Sequence, residues 1–241
     1  MKTIFIAVIS SLTAGILLFG SSALAQGIYN SGTLGVDVSW PNCSAKITRG
    51  SKFGIVGVTN GIGYSTNPCL NKEASNFSNL SLYVNTGWYS SSLYINANSP
   101  KKCIEGDNNC LAYNYGYNAG LYAYDAAANA GVHSNTWWLD VETENSWSTD
   151  TSQNRNSIQG EYNALTTRII DNGAIPTVGV YSTTYQWNTI TGSWKNYWPS
   201  WGATIVSTSK QAAKYCTGHE FTGGKTWLIQ YSGAIDQDYA C

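Results

Sequence analysis

Thr136-Trp137-Trp138-Leu139-Asp140-Val141-Glu142-Thr143-Glu144-Asn145 is apolar where it begins and acidic where it ends. Trp137, Trp138, Leu139 and Val141 are aromatic, branched or large, the residue types that favour a buried strand. Asp140 and Glu142 stand two positions apart, so on a strand they project from one face, about 6.6 Å apart at twice the strand rise. Only 11% of the chain is charged, so two acids in an apolar run call for a reason. One reading is an acidic loop start solvated by water. The other is a carboxylate pair at the mouth of a barrel, where one acid has a raised pKa and the other stays ionised.

The flanking sequence repeats a strand, loop and helix. Leu34–Val38 reads as a short strand, and Phe53–Val58 is a continuous apolar run, the mark of a strand covered on both faces. Residues 70–80 read as a helix and 82–85 as the next strand. A long Ser/Asn/Tyr-rich loop over 86–109 precedes an Ala-rich helix over 113–130. Ile158, Tyr162, Leu165 and Ile169 recur at helical spacing within 153–172, and Asn172-Gly173 ends that helix. Strands follow at 178–181, 198–206 and 225–231, and the tail Ile235–Tyr239 closes the domain. Buried strands alternating with helices imply an α/β fold. Polar residues gather at strand C-terminal ends (Asp37, Asn60, Asn85, Asp140 with Glu142, Tyr181, Gln230, Asp236), which implies a single-domain (β/α) barrel of TIM type over residues 26–241 whose active face is that end. A doubly wound open sheet is the alternative; no Gly-x-Gly-x-x-Gly follows the first strand, which argues against a dinucleotide site.

Residues 1–25 read as a signal peptide: Lys2, an apolar run from Ile4 to Phe19, then an Ala-x-Ala-like end at Ala23–Ala25. The expected mature protein is secreted, with no membrane association after cleavage, and monomeric. Lys and Arg number 13 against 14 acids, with no basic patch for nucleic acid or anionic lipid. Ten Trp and 17 Tyr offer flat faces with polar edges, which suit sugar rings as well as a core. Six cysteines in an exported chain suggest disulfides, and we expect 103–110, closing a short loop, with 43–69 and 216–241. No Cys-x-x-Cys occurs and the histidines are His133 and His219, so neither zinc nor another cofactor is expected.

Gly35-Val36-Asp37-Val38-Ser39, Phe53-Gly54-Ile55-Val56, Leu139-Asp140-Val141-Glu142, Gly179-Val180-Tyr181-Ser182, Ile229-Gln230-Tyr231-Ser232 and Ile235-Asp236 follow one another in an order that resembles glycoside hydrolase family 25, the lysozyme-like muramidases. The resemblance implies a modified (β/α) barrel that cleaves peptidoglycan between N-acetylmuramic acid and N-acetylglucosamine. It puts the general acid on Glu142, supporting carboxylates on Asp37, Asp140 and Asp236, and a floor of Tyr83, Tyr181 and Gln230. The chain departs from the family at Trp40-Pro41-Asn42-Cys43 and at Asn60, where a carboxylate is usual, which marks a divergent branch.

Asp236 and Asp238 share one strand face, and Asp236 is the one assigned to the site. Glu144 reads as surface loop. Trp40, Trp88, Trp147 and Trp187 follow strand ends, and Trp40, Trp88 and Trp187 are the candidates for stacking on sugar; Trp138 reads as core. The polysaccharide is attacked by a carboxylate nucleophile, by water activated by a carboxylate, or by its own acetamido group, and strand spacing alone fits all three. A non-catalytic glycan- or wall-binding barrel is the competing function, favoured by the aromatic surplus and by Asn60.

Overall fold

The computed structural model describes residues 28–47 and 50–241. The expected signal peptide lies outside the described residues, apart from which the strand and helix pattern can be followed along the chain. Eight strands close into one barrel: β1 (Leu34–Val38), β2 (Phe53–Gly57), β3 (Leu80–Asn85), β4 (Thr136–Asp140), β5 (Thr177–Ser182), β6 (Ser200–Ala203), β7 (Thr226–Tyr231) and β8 (Gln237–Ala240). β1 to β7 pair in parallel, whereas β8 runs antiparallel to both β7 and β1. This closure excludes the open sheet. The helices are α1 (Leu70–Ala74), α2 (Asn108–Asn129), α3 (Thr151–Asp171), α4 (Thr184–Thr191) and α5 (Ser209–Ala212).

Alternation along each strand separates two cores. Trp137, Leu139 and Val141 point outward, with Val36, Val56, Leu82 and Val180, into the layer beneath the helices. Trp138 points inward with Phe53, Ile55, Trp201 and Leu228. The inward Trp138 has room because β5 offers Gly179: a Cβ there would lie 2.4 Å from the Trp138 ring. α2 and α3 lie against each other at backbone contact. A Cβ on Gly116 would sit 1.9 Å from the Ser157 carbonyl, and one on Gly160 2.1 Å from that of Tyr113. Side-chain caps start the helices: Asp107 accepts from the Cys110 amide, Asp150 from Ser152 and Thr183 from Gln186.

The three expected disulfides are present, Cys43–Cys69, Cys103–Cys110 and Cys216–Cys241. Three element boundaries differ from the sequence reading. The helix from Leu70 stops at Ala74, because Leu80 already pairs in β3. The strand region 198–206 is confined to Ser200–Ala203. The ladder of β4 ends at Asp140, although the Val141 amide still bonds the Tyr181 carbonyl at 3.0 Å and keeps Glu142 on the inward face.

One buried acid lies away from the barrel mouth. Glu161 of α3 is 1% exposed, with the Thr86 side chain as a polar neighbour, and burial raises its pKa from 4.5 to about 8. Between those two pH values the unfolded chain has lost this proton while the folded chain keeps it, so stability falls as pH rises through the window. The expected result for Glu161→Gln is equal stability to the parent near pH 5 and a gain of a few kcal/mol near pH 8. Urea denaturation at both pH values measures it; a parent and variant that lose stability in parallel would refute the assignment.

Candidate active site

The C-terminal ends of the parallel strands carry the inward polar residues, in register. Asn85, Asp140 and Tyr181 are direct partners across β3, β4 and β5. Gln230 of β7 faces Asp238 of β8. Parallel strands all present their C-terminal ends to one side, so residues far apart in sequence meet at one mouth.

Two carboxyl pairs face each other there. In the first, Asp140 and Glu142 hydrogen-bond side chain to side chain. The buried Asp140 also accepts a short bond, 2.5 Å, from Asn85 Nδ2, and Asn85 Oδ1 accepts from Thr59 at 2.7 Å. The Glu142 backbone is fixed by Trp147 Nε1, which donates to its carbonyl at 2.7 Å. Burial is the main cause that holds the Asp140 carboxyl well above the ordinary range, with the Glu142 charge next. Glu142 is also raised, first by burial and then by the charges of Glu144 and Asp236, against a lowering by its hydrogen bonds to Asp140 and Gln186. Two carboxyls in contact cannot both ionise cheaply, so they share a proton and titrate as a pair.

The second pair is Asp37 and Asp238, again in hydrogen-bond contact. Gln230 Nε2 donates to Asp37 at 3.0 Å, and Tyr181 Oη donates to Gln230 Oε1 at 2.8 Å. Trp201 Nε1 donates to Asp238 at 2.8 Å. Burial, then the charge of Asp236, raises Asp37 to about 7. Asp238 is raised well above the ordinary range by burial and by Asp37. Tyr83 stands between the pairs, hydrogen-bonded to Ser39 and within the fields of Asp140, Asp37 and Glu142; burial is the main cause that raises its phenol.

Asp37, Asp140, Glu142, Tyr83, Tyr181 and Gln230 therefore converge at the mouth. Asp236 stands exposed in the loop entering β8, where its charge reaches Asp37 and Glu142. Its neighbour Asp238, set aside at the sequence level, is the fully buried member of the site. β8 runs down from the mouth, so the second acid on that face goes deeper than the first. Asn85, Trp201 and Gln186 were also missed; only Asn85, polar at a strand end, carried a visible signal.

Two of the expected sugar platforms require correction. Trp88 is 2% exposed and Trp187 0%, with their indole N–H groups donating to Gln153 Oε1 at 2.9 Å and to the Trp194 carbonyl at 2.8 Å. They are core side chains: α2 packs over the loop that carries Trp88 through Ala112 and Tyr115, and Trp187 lies on the inner face of α4 against Trp194 and Phe221. Trp40 is 45% exposed and free to stack. Glu144 is exposed, but its carboxylate accepts from Gln186 Nε2 at 3.2 Å, which ties it to the Glu142 side of the site. Among the described residues, no group of three or more His, Cys, Asp or Glu is arranged to hold a metal ion, and no helix is long and apolar enough to cross a membrane.

A family model described as lysozyme-like protein 1 matches residues 56–214, from the middle of β2 to the segment after α5. That span contains Tyr83, Asn85, Asp140, Glu142 and Tyr181, while Asp37, Gln230, Asp236 and Asp238 lie outside it. No curated protein and no solved structure matches the chain. With about two thirds of the chain and one of the two carboxyl pairs inside the matched span, the chain belongs to the lysozyme-like protein 1 family.

Proposed function

We propose that this protein is a secreted, monomeric glycoside hydrolase of the family 25 type, cleaving peptidoglycan or a related N-acetylated polysaccharide. The observation that carries the reading is the contact between Asp140 and Glu142 at the barrel mouth, opposite Asp37 and its Gln230–Tyr181 chain. Membership of a lysozyme-like family supports a cell-wall glycan as the substrate class. Three disulfides suit an oxidising exterior.

Glu142 is the general acid. It is the less buried member of its pair, so it can reach a glycosidic oxygen while Asp140 beneath it supplies the shared proton. Glu142 then delivers that proton to the leaving oxygen as the bond to the anomeric carbon breaks. A carboxylate nucleophile stands about 5–5.5 Å from the acid, and an inverting base about 6.5–9.5 Å, with the sugar between them. Asp140 touches Glu142 and fits neither position. That leaves two routes, attack by the substrate's own acetamido oxygen with Asp140 orienting the group, or attack by or through a carboxylate of the opposite pair. The opposite pair, Asp37 and Asp238 with Asp236 above, faces the positive charge that develops on the sugar ring.

Incubation with purified peptidoglycan should release new reducing ends, and mass spectrometry should place them on muramic acid. Muropeptide binding without any release of reducing ends would overturn the hydrolase and leave a glycan-binding barrel.

A further inference from the structure

A cavity of about 580 Å³ opens beside the carboxyl pairs, between the loops that follow β2, β3 and β4. Its volume is in the range of small-ligand sites. Ile62, Tyr89, Leu93 and Tyr94 line it, and all four are exposed, Leu93 at 99% and Tyr94 at 55%. A soluble protein that leaves such a cluster uncovered beside a cleft marks a contact surface.

The wall is built rather than loose. Tyr64 holds a left-handed backbone (φ 57°), and its ring stacks under Tyr94 at 4.2 Å and 4°. Its hydroxyl donates to the Tyr115 carbonyl at 2.7 Å, and Tyr115 in turn packs edge-on against the buried Trp88. Asn114 of α2 donates to the carbonyls of Asn96 and Lys101, and Cys103–Cys110 ties the end of the same loop to α2. A left-handed conformation in a bulky residue carries strain that the surroundings must hold, and such residues cluster at functional sites. Here it sets one face of Tyr94 against protein and leaves the ring otherwise open to solvent.

The cavity is continuous with the candidate active site. Asn85 lines it and also holds Asp140. Glu144 lines it and accepts from Gln186, which hydrogen-bonds Glu142. Glu144 is the one charged residue in its lining, which disfavours an anionic occupant. Flat tyrosine rings beside aliphatic tips suit a neutral pyranose with an N-acetyl group: ring face on aromatic, methyl against Leu93 and Ile62.

We propose that this cavity is a second sugar-binding subsite, holding a neutral N-acetylated sugar of the chain beyond the cleaved linkage, with Tyr94 as its platform. This rests on the glycoside hydrolase reading and deepens it: the substrate is a chain of several sugars, and the grip on a remote unit helps to place the linkage at Glu142.

The test compares the affinities of a chitooligosaccharide hexamer and dimer, by calorimetry on the mature protein carrying Glu142→Gln. Tyr94→Ala and, separately, Leu93→Ser are added to that background. The expected result is a hexamer-to-dimer affinity ratio roughly three- to tenfold lower in Tyr94→Ala and lowered also in Leu93→Ser. Ile175→Ser, an exposed apolar residue at the opposite end of the barrel, should keep the parent ratio. Leu93 is fully exposed, so its variant tests the subsite even if Tyr94→Ala folds poorly. An unchanged ratio in Leu93→Ser and in a folded Tyr94→Ala would overturn the subsite while leaving glycan cleavage by the unsubstituted protein untouched. Competition by free stem peptide, with no preference for the hexamer, would also overturn it. A protein that binds the hexamer through these residues but never cleaves would keep the subsite and lose the hydrolase. One that neither binds nor cleaves would lose both.

Discussion

Glu142→Gln should lower turnover on peptidoglycan by about 10²–10⁴-fold, the usual worth of a positioned acid–base group. The amide fills the same space and still accepts and donates hydrogen bonds, but it has no proton to deliver at neutral pH. The Trp147 bond goes to the residue 142 carbonyl and is untouched by the change, so the loop keeps its anchor. Asp140 loses an acidic partner rather than a hydrogen-bonding one. Glycan affinity should therefore survive while turnover collapses, a pattern that separates a lost proton donor from a lost binding contact. Reducing-end kinetics and calorimetry on the same preparation read both quantities. A Glu142→Gln protein that turns over at the parent rate would remove Glu142 from the mechanism.

Asp140→Asn should be the next most damaging change, with a shifted pH profile as its distinguishing mark. Asp140 and Glu142 share a proton, which burial and the Glu142 charge on Asp140 hold to high pH, while the hydrogen bond from Asp140 lowers Glu142 itself. Asparagine at 140 carries no charge and can donate to Glu142, and both effects favour the ionised form of Glu142. Its proton is then lost at lower pH. The alkaline limb of kcat/KM should move toward acid, and activity at neutral pH should fall by about 10-fold or more as the protonated fraction shrinks. The Asn85 bond constrains the same site: Asn85 Nδ2 already donates to residue 140, so the new side chain keeps its oxygen toward Asn85 and its amide toward Glu142. An alkaline limb that stays in place, or moves to higher pH, would sink the shared-proton account.

The two carboxyl pairs differ in how far they could be read from the chain. Asp140 and Glu142 are neighbours in sequence, and the period of a strand is enough to bring them to one face. Asp37 and Asp238 are joined only because β8 inserts antiparallel between β7 and β1. Nothing local in Ile235–Tyr239 shows that direction. The same alternation that grouped Asp236 with Asp238 gave no depth along the strand, and depth decides which of them is buried.

Aromatic residues were read least well. Trp88 and Trp187 follow strand ends just as Trp40 does, yet they are covered while Trp40 is not. Cover for Trp88 comes from α2 and α3, with Ala112 and Tyr115 packed on it and Gln153 meeting its indole, and Trp187, which lies on α4 itself, is covered by Trp194 and Phe221. The exposed tyrosines at the open cavity, Tyr89 and Tyr94, lie in a loop without periodicity, where no local pattern separates inside from outside.

The sequence by itself determined the alternation of strands and helices, the inward face shared by Asp140 and Glu142, and the gathering of polar residues at strand ends. These follow from periods of 2 and 3.6 residues and from side-chain type, which act over a few positions. Tertiary structure alone decided the antiparallel closing strand, the Asp37–Asp238 contact, the burial of two tryptophans and the tyrosine-lined cavity. Each of these depends on which distant surfaces meet, and that is set by the packing of the whole barrel rather than by any stretch of it.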